Sequence, residues 1–251
     1  MVKFFRKIRQ TLIAENRISR YMMYATGEIF LVVIGILIAL QVNNWNNDRV
    51  ARQSEVKYLN NIILDLQKDL SGLDFLIEFR KTRIEGDKKL ILQINGLAVD
   101  DITELTKNVV NTIMEERFTP NNNTYQELSN SGNLNIISND SIKILLLQLE
   151  EEYKINRFAI DHETWDYREY ISKPVISHTN LDRIYPVFTG EKSIESQKIS
   201  IDDFKKLFES KEFKNGLFIM MSTSAAFIPI YENIRTKSKK IIDMIKTDLN
   251  L

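Results

Sequence analysis

Residues 21–42 read YMMYATGEIFLVVIGILIALQV. The centre of that stretch, residues 29–40 (IFLVVIGILIAL), carries no polar side chain. As a helix the centre covers about 18 Å, short of the ~30 Å hydrocarbon core of a bilayer. Taken from Tyr21 to Val42, the helix reaches about 33 Å and crosses once. Tyr21 and Tyr24 then fall at one interface and Trp45 just past the other, where amphipathic rings settle. Upstream, Lys3, Arg6, Lys7, Arg9, Arg17 and Arg20 stand against Glu15 alone. A basic excess ahead of the span predicts a cytoplasmic amino terminus, with residues 43–251 exported. A cleaved signal peptide would share the short apolar centre. Its positive leader would be unusually long, however, and Leu40-Gln41-Val42-Asn43 offers no small-residue cleavage pattern. A buried core helix explains neither the basic flank nor the aromatic placement, so the expectation is an uncleaved anchor.

Working outward, residues 1–20 place Phe4, Phe5, Ile8, Leu12 and Ile13 at helical spacing among the basic side chains. That is the pattern of a helix lying on the cytoplasmic membrane surface, in addition to setting topology. Within the span, Glu28, Gly35 and Ala39 are separated by seven and four residues and share one helical stripe. Gly35 and Ala39 form a small-xxx-small pair that lets backbones approach closely. An unpaired carboxylate at Glu28 would cost on the order of 2–3 kcal/mol, so it is expected to be protonated, to snorkel to the headgroups, or to be partnered. The stripe is read as a helix–helix contact, with snorkelling of Glu28 as the competing explanation.

The chain beyond the span predicts helices. Eight Gly and four Pro in 251 residues leave few tight turns, which disfavours a sandwich or barrel. After the polar stretch Asn43-Asn44-Trp45-Asn46-Asn47-Asp48, apolar residues Val56, Leu59, Ile63, Leu66, Leu70, Leu73 and Ile77 step by three and four. Ile84, Ile91 and Ile94 continue the register, with Arg80 and Asp87 interrupting it. The spacing predicts a long helix over residues 48–95, fitting either a coiled coil or the spine of an antiparallel bundle. Asp101 with Glu104 opens a second helix to about Arg117, Thr124 with Glu127 a short one ending near Gly132, and Asn139-Asp140 a long one to about Ser172, stopped by Pro174. Residues 175–199 are the least regular and admit a short strand or an ordered loop. Residues 202–208 and 211–249 read as the last helices, with Pro229 expected to kink or split the final one. Residues 217–231 are apolar but too short and too polar for a second span, which favours a buried helix. The fold class is therefore mostly α: one transmembrane helix and a long-helix antiparallel bundle on its far side.

Two blocks carry a family resemblance. The first is KFFRKIRQ (residues 3–10), followed by Tyr24-Ala25-Thr26-Gly27-Glu28-Ile29 and the run from Leu31 to Asn46. The second is TYQELSNSGNLNIISND at residues 124–140. Together they resemble an uncharacterised family of single-span proteins from Gram-negative bacteria, defined as a domain of unknown function. The resemblance implies a bacterial inner-membrane location with the body in the periplasm, and implies no activity. From its residues alone, the second block reads as a tight corner: Tyr125 and Leu128 inward, Gly132 in a left-handed cap, Ile136 and Ile137 pinning the turn.

Chemistry is sparse. No Cys and two His leave few groups for nucleophilic or acid–base work at neutral pH. His162-Glu163-Thr164-Trp165-Asp166 starts like a zinc-protease helix, but Asp166 stands where the second His belongs. Pairing His162 and Asp166 with His178 and Asp182 satisfies metal spacing only loosely. No catalytic residue, cofactor or metal is expected, and the acidic body argues against nucleic acid. The expected partners are membrane lipid and another envelope protein or a second copy. The expected role is structural or interaction-based, with a sensor subunit acting through a membrane partner as the alternative.

Overall fold

The computed structural model describes residues 18–191 and 198–251, and every regular element among them is helical. The amphipathic surface helix expected over residues 1–20 thus falls almost wholly outside the described residues. The elements are α1 (Ile18–Ile94), α2 (Ile102–Ile113), α3 (Asn123–Asn130), α4 (Asp140–Tyr167), α5 (Lys173–His178), α6 (Leu181–Thr189), α7 (Lys205–Glu209) and α8 (Lys211–Leu249), with 3₁₀ turns at Leu134–Ile136 and Ile201–Phe204. The chain divides into two compact units after Lys57.

The first unit holds the apolar part of α1. The polar stretch at residues 43–48, expected to separate span from domain, does not interrupt the helix, which is unbroken for 77 residues. Asn has modest helix propensity, but without Gly or Pro nothing there removes a ladder hydrogen bond. Among the described residues, two helices are long and apolar enough to cross a membrane: α1, whose apolar window is 0% buried, and α8, whose window is 33% buried.

In the second unit the buried face of α1 is broader than the apolar run alone. Ile62, Asp69, Leu76, Arg83 and Leu90 are buried beside Leu59, Leu66, Leu73, Arg80 and Asp87. That is the wide stripe of a globular helix rather than a narrow two-position seam. Two apolar clusters result. One joins α1 from Leu59 to Ile77 with Ile142–Tyr153 of α4 and Phe227–Ile245 of α8. The other joins Leu90 and Ile91 with α2, Ile171, Val175, Ile184 and the start of α8. Leu217, Met220, Phe227 and Tyr231 are all buried, as expected for a core helix.

Three expected interruptions behave differently. Pro174 does not stop α4. The helix widens into a π turn, Arg168–Ser172, with the Lys173 N–H reaching the Arg168 carbonyl five residues back, and continues as α5 with Pro174 in its first turn. Because Pro174 brings no amide hydrogen, the tighter ladder cannot run through it. Pro229 does not split α8. The carbonyl it leaves unpaired belongs to Ala225, and both residues are exposed, so water can reach it. In the irregular region, the described residues fold as α5 and α6 with no strand, and Gly190 closes α6 at φ +78°; residues 192–197 lie outside the described set. At one close approach, a Cβ on Gly216 would sit 2.5 Å from the Tyr170 carbonyl oxygen, so only glycine fits where α8 meets the π turn.

Candidate functional site

The corner block is held by α1. Segment 101–127 retraces α1 from its C-terminal end: Lys89 meets Glu104, Arg83 meets Thr112, Arg80 meets Glu116, Asp69 meets Asn121, Asp65 meets Thr124, and Tyr58 meets Glu127. Between α2 and α3, residues 114–122 of this segment lie outside any helix, so side chains help satisfy their backbone.

At the corner, Asp69 accepts from both the Asn121 amide and side chain at 2.8 Å, and from the Tyr153 hydroxyl at 2.9 Å. Asp65 accepts the Thr124 hydroxyl at 2.6 Å and its amide at 3.3 Å. Thr124 was expected to cap α3. Instead α3 begins at Asn123, the preceding Asn122 makes no side-chain cap, and the carboxylate of Asp65 does that work from another helix. Asn122 and Gln126 donate to Glu150. Burial raises the Asp69 pKa, opposed by the hydrogen bonds from Asn121 and Tyr153; burial and the adjacent Asp69 push Tyr153 up. Tyr125 and Leu128 point inward, 8% and 0% exposed. Gly132 takes φ +71° while the Asn133 N–H returns to the Leu128 carbonyl, the left-handed closure that glycine allows. Ile137 is fully buried and Ile136 partly so, and Asn139 caps α4 by accepting from the Ser141 and Ile142 amides. The cavity beside Tyr125, Asp65 and Tyr153 is about 20 Å³, room for one water. This geometry fixes a loop.

A second polar centre interrupts the apolar interior. Arg80, 1% exposed, makes a two-pronged pair with Glu163, 4% exposed, and its guanidinium lies 4.3 Å from the Phe227 ring centroid. Arg83 Nη2 donates to the Thr112 carbonyl at 2.8 Å, and the Tyr167 hydroxyl donates to Ile113. Asn156 donates to the Phe118 carbonyl at 3.2 Å. Asp87 Oδ2 and Arg83 Nε sit 4.0 Å apart, both buried and neither hydrogen-bonded. Burial raises the Asp87 pKa to about 7, against the pull of Arg83, and burial lowers Arg83. Glu163, which would be the base of a zinc-protease helix, is thus the counter-ion of Arg80. His162 lies exposed, its Nδ1 3.0 Å from the Phe158 carbonyl. Among the described residues no three His, Asp or Glu side chains gather around a point where an ion could sit.

Along the apolar part of α1, Gly35 and Ala39 are exposed and Glu28 is half-buried. Nothing lies within 4 Å of where a Gly35 Cβ would be, so that face has room for a close neighbour. Sequence reasoning flagged Arg80 and Asp87 only as interruptions of the apolar run, when their core register was the signal that they are buried. Asp65 and Asp69 gave no such signal, because four-residue spacing of acids on a helix is also that of a solvated face.

Residues 28–173 match the model of a family described as a family of unknown function, DUF6090, and the chain belongs to it. No curated protein and no solved structure matches.

Proposed function

We propose that this member of the DUF6090 family is a membrane-anchored helical protein serving as a structural or protein-interaction component of the bacterial cell envelope. One observation carries the reading: the large apolar side chains from Ile29 to Val42 are each 40–66% exposed. A contiguous apolar surface of this extent is uncommon on a water-soluble monomer, where the largest patch is about 300–600 Å². Lipid accepts it. The basic residues ahead of it support an inner-membrane orientation with residues 1–20 cytoplasmic and residues 43–251 periplasmic. Glu28, Gly35 and Ala39 form its contact stripe for a neighbouring span. The partners are lipid and another envelope protein or a second copy; the role needs no catalysis, cofactor or nucleic acid.

The periplasmic domain is read as a bundle in which α8 runs against α1 and α4. Supporting this are the pairs Asn95–Lys214 and Asp74–Arg235 for α1, and Asn139–Asp248 and Glu152–Lys237 for α4. Asp69–Tyr153 and Arg80–Glu163 support a common direction for α1 and α4. The second reading, a ligand-sensing or signal-relaying subunit, draws on Asp87 Oδ2 and Arg83 Nε, buried inside the domain without a hydrogen bond.

Alkaline extraction of cell membranes tests the anchor: the chain should stay with the pellet, and its release would refute the reading. Within the membrane, Glu28→Leu should change detergent-resistant association, and unchanged association would remove the stripe.

A further inference from the structure

Past the apolar stretch of α1, charge returns one turn beyond Trp45. Residues 29–47 carry no charged side chain, and four of the five residues 43–47 are Asn, with Trp45 among them. Asp48 and Arg49 follow. Residues 41–50 are all exposed, Trp45 at 63%. Arg49 does not extend away from the apolar stretch. Its guanidinium lies back over the Trp45 ring, 5.8 Å from the centroid. Helical side chains lean toward the N-terminus and so cover the residue one turn before them. Asn46 stands one residue after Trp45 and three before Arg49, so its amide borders both. Among the described residues no carboxylate pairs with Arg49, whereas Arg52, one turn on, is held by Glu55 at 2.6 Å.

We propose that Trp45 and Arg49, with Asn46 between them, form a site for the phosphate of an anionic phospholipid in the exported leaflet. The site rests on the membrane anchor proposed above and names the headgroup that this end of the span selects. Height fits. The headgroup layer adds about 5–8 Å to each side of the ~30 Å core. At 1.5 Å per residue Trp45 stands about 4.5 Å past Val42, inside that layer, and the Arg49 backbone about 10 Å past it, just beyond. The backward lean of the side chain returns the guanidinium to the level of Trp45. Chemistry fits as well. Stacked by one face on the indole, the guanidinium keeps its edge free to give parallel N–H bonds to two phosphate oxygens. The Trp45 ring lies among the upper acyl carbons, and the Asn46 amide adds a further donor. Charge sets the preference. A zwitterionic headgroup carries an ammonium beside its phosphate, which opposes Arg49, while a net-negative headgroup leaves the attraction whole. The nearest acid in sequence, Asp48, projects about 100° around the helix from Arg49 and does not face the same phosphate.

The chain has two tryptophans, so Trp165→Phe leaves Trp45 as its only one, and the fluorescence of Trp45 then reports the lipids beside it. The full chain with that change is reconstituted into vesicles of equal phosphatidylglycerol and phosphatidylcholine, with the acyl chains of one lipid or the other brominated. Brominated phosphatidylglycerol should quench Trp45 as though enriched about two- to fivefold beside it. Adding Arg49→Gln should bring the two lipids level with helicity unchanged, and 1 M NaCl should shrink the preference of the parent chain. Lys88→Gln, which removes an exposed cation of the second unit, should keep the preference in full. Equal quenching by the two lipids in the parent chain overturns the proposal, and so does a preference that survives Arg49→Gln. The anchor is judged separately. Quenching by neither lipid refutes the anchor and the site with it, while quenching without preference refutes the headgroup site alone.

Discussion

The apolar stretch of the first unit and the interior of the second are opposite departures from the usual globular rule. From Ile29 to Val42 the apolar side chains face outward, with nothing of the described chain against them. In the second unit the charged side chains of Arg80, Arg83, Asp87 and Glu163 sit inside, each no more than 4% exposed. Each reversal is stable only with a specific environment. The first needs a medium as apolar as itself, and the second needs every charge matched to a partner or a backbone carbonyl. Glu163 pairs with Arg80, and Arg83 with the carbonyls at the end of α2. These charges hold a non-helical return segment whose backbone would otherwise be buried unpaired.

The contrast breaks most sharply in the first unit. Ile34→Lys with Ile38→Lys places two cations where lipid is expected, at about 2.5–3.5 kcal/mol each. The chain should move from the alkali-resistant membrane fraction to the soluble or aggregated one. In the second unit, Glu163→Gln strands the Arg80 charge and should lower the stability of the detergent-solubilised chain by about 3–5 kcal/mol in chemical denaturation. Arg80→Met with Glu163→Leu should recover most of that loss, because it removes both charges from the interior.

Asp87 sharpens the same point through pH. Its folded pKa of about 7 lies above the ordinary carboxylate value of about 3.9. The folded chain therefore holds a proton that the unfolded chain releases across that window. Its contribution is fully present below about pH 4, falls as pH rises to about 7 and is flat beyond, with about 4 kcal/mol as the upper bound. Asp87→Asn should flatten this part of the stability–pH curve; an identical slope in the variant would contradict it. Smallest is a purely steric change: Gly216→Ala pushes a methyl into the Tyr170 carbonyl and should cost about 1–3 kcal/mol, read as a lower unfolding midpoint.

What the sequence made legible was whatever periodicity and caps encode. Asp101 capping α2, Asn139 opening α4, the limits of α8 and the left-handed Gly132 all follow from local chemistry. What escaped was decided by tertiary contact. Pro174 read as a stop and Pro229 as a kink or split, yet a π turn carries the chain through the first and α8 runs unbroken through the second at its exposed face. Asp65 and Asp69 carry no local signal that sets them apart, yet they hold a loop 52–59 residues away in sequence. Arg80 and Asp87 read as interruptions of an apolar run; Glu163, brought close by folding, explains the charge at Arg80, while Arg83 faces Asp87 from one turn away on α1. The corner residues Tyr125, Leu128 and Gly132 were identified correctly in conformation, while the acidic clamp that holds them was invisible to local pattern.

The most direct test of the account is where the carboxyl end lies. Alkaline phosphatase fused after Leu251 should be active, and a green fluorescent protein at the same place should stay dark when exported by the same route. A bright fluorescent fusion with an inactive phosphatase would put residues 43–251 in the cytoplasm and contradict the single outward crossing by residues 21–42.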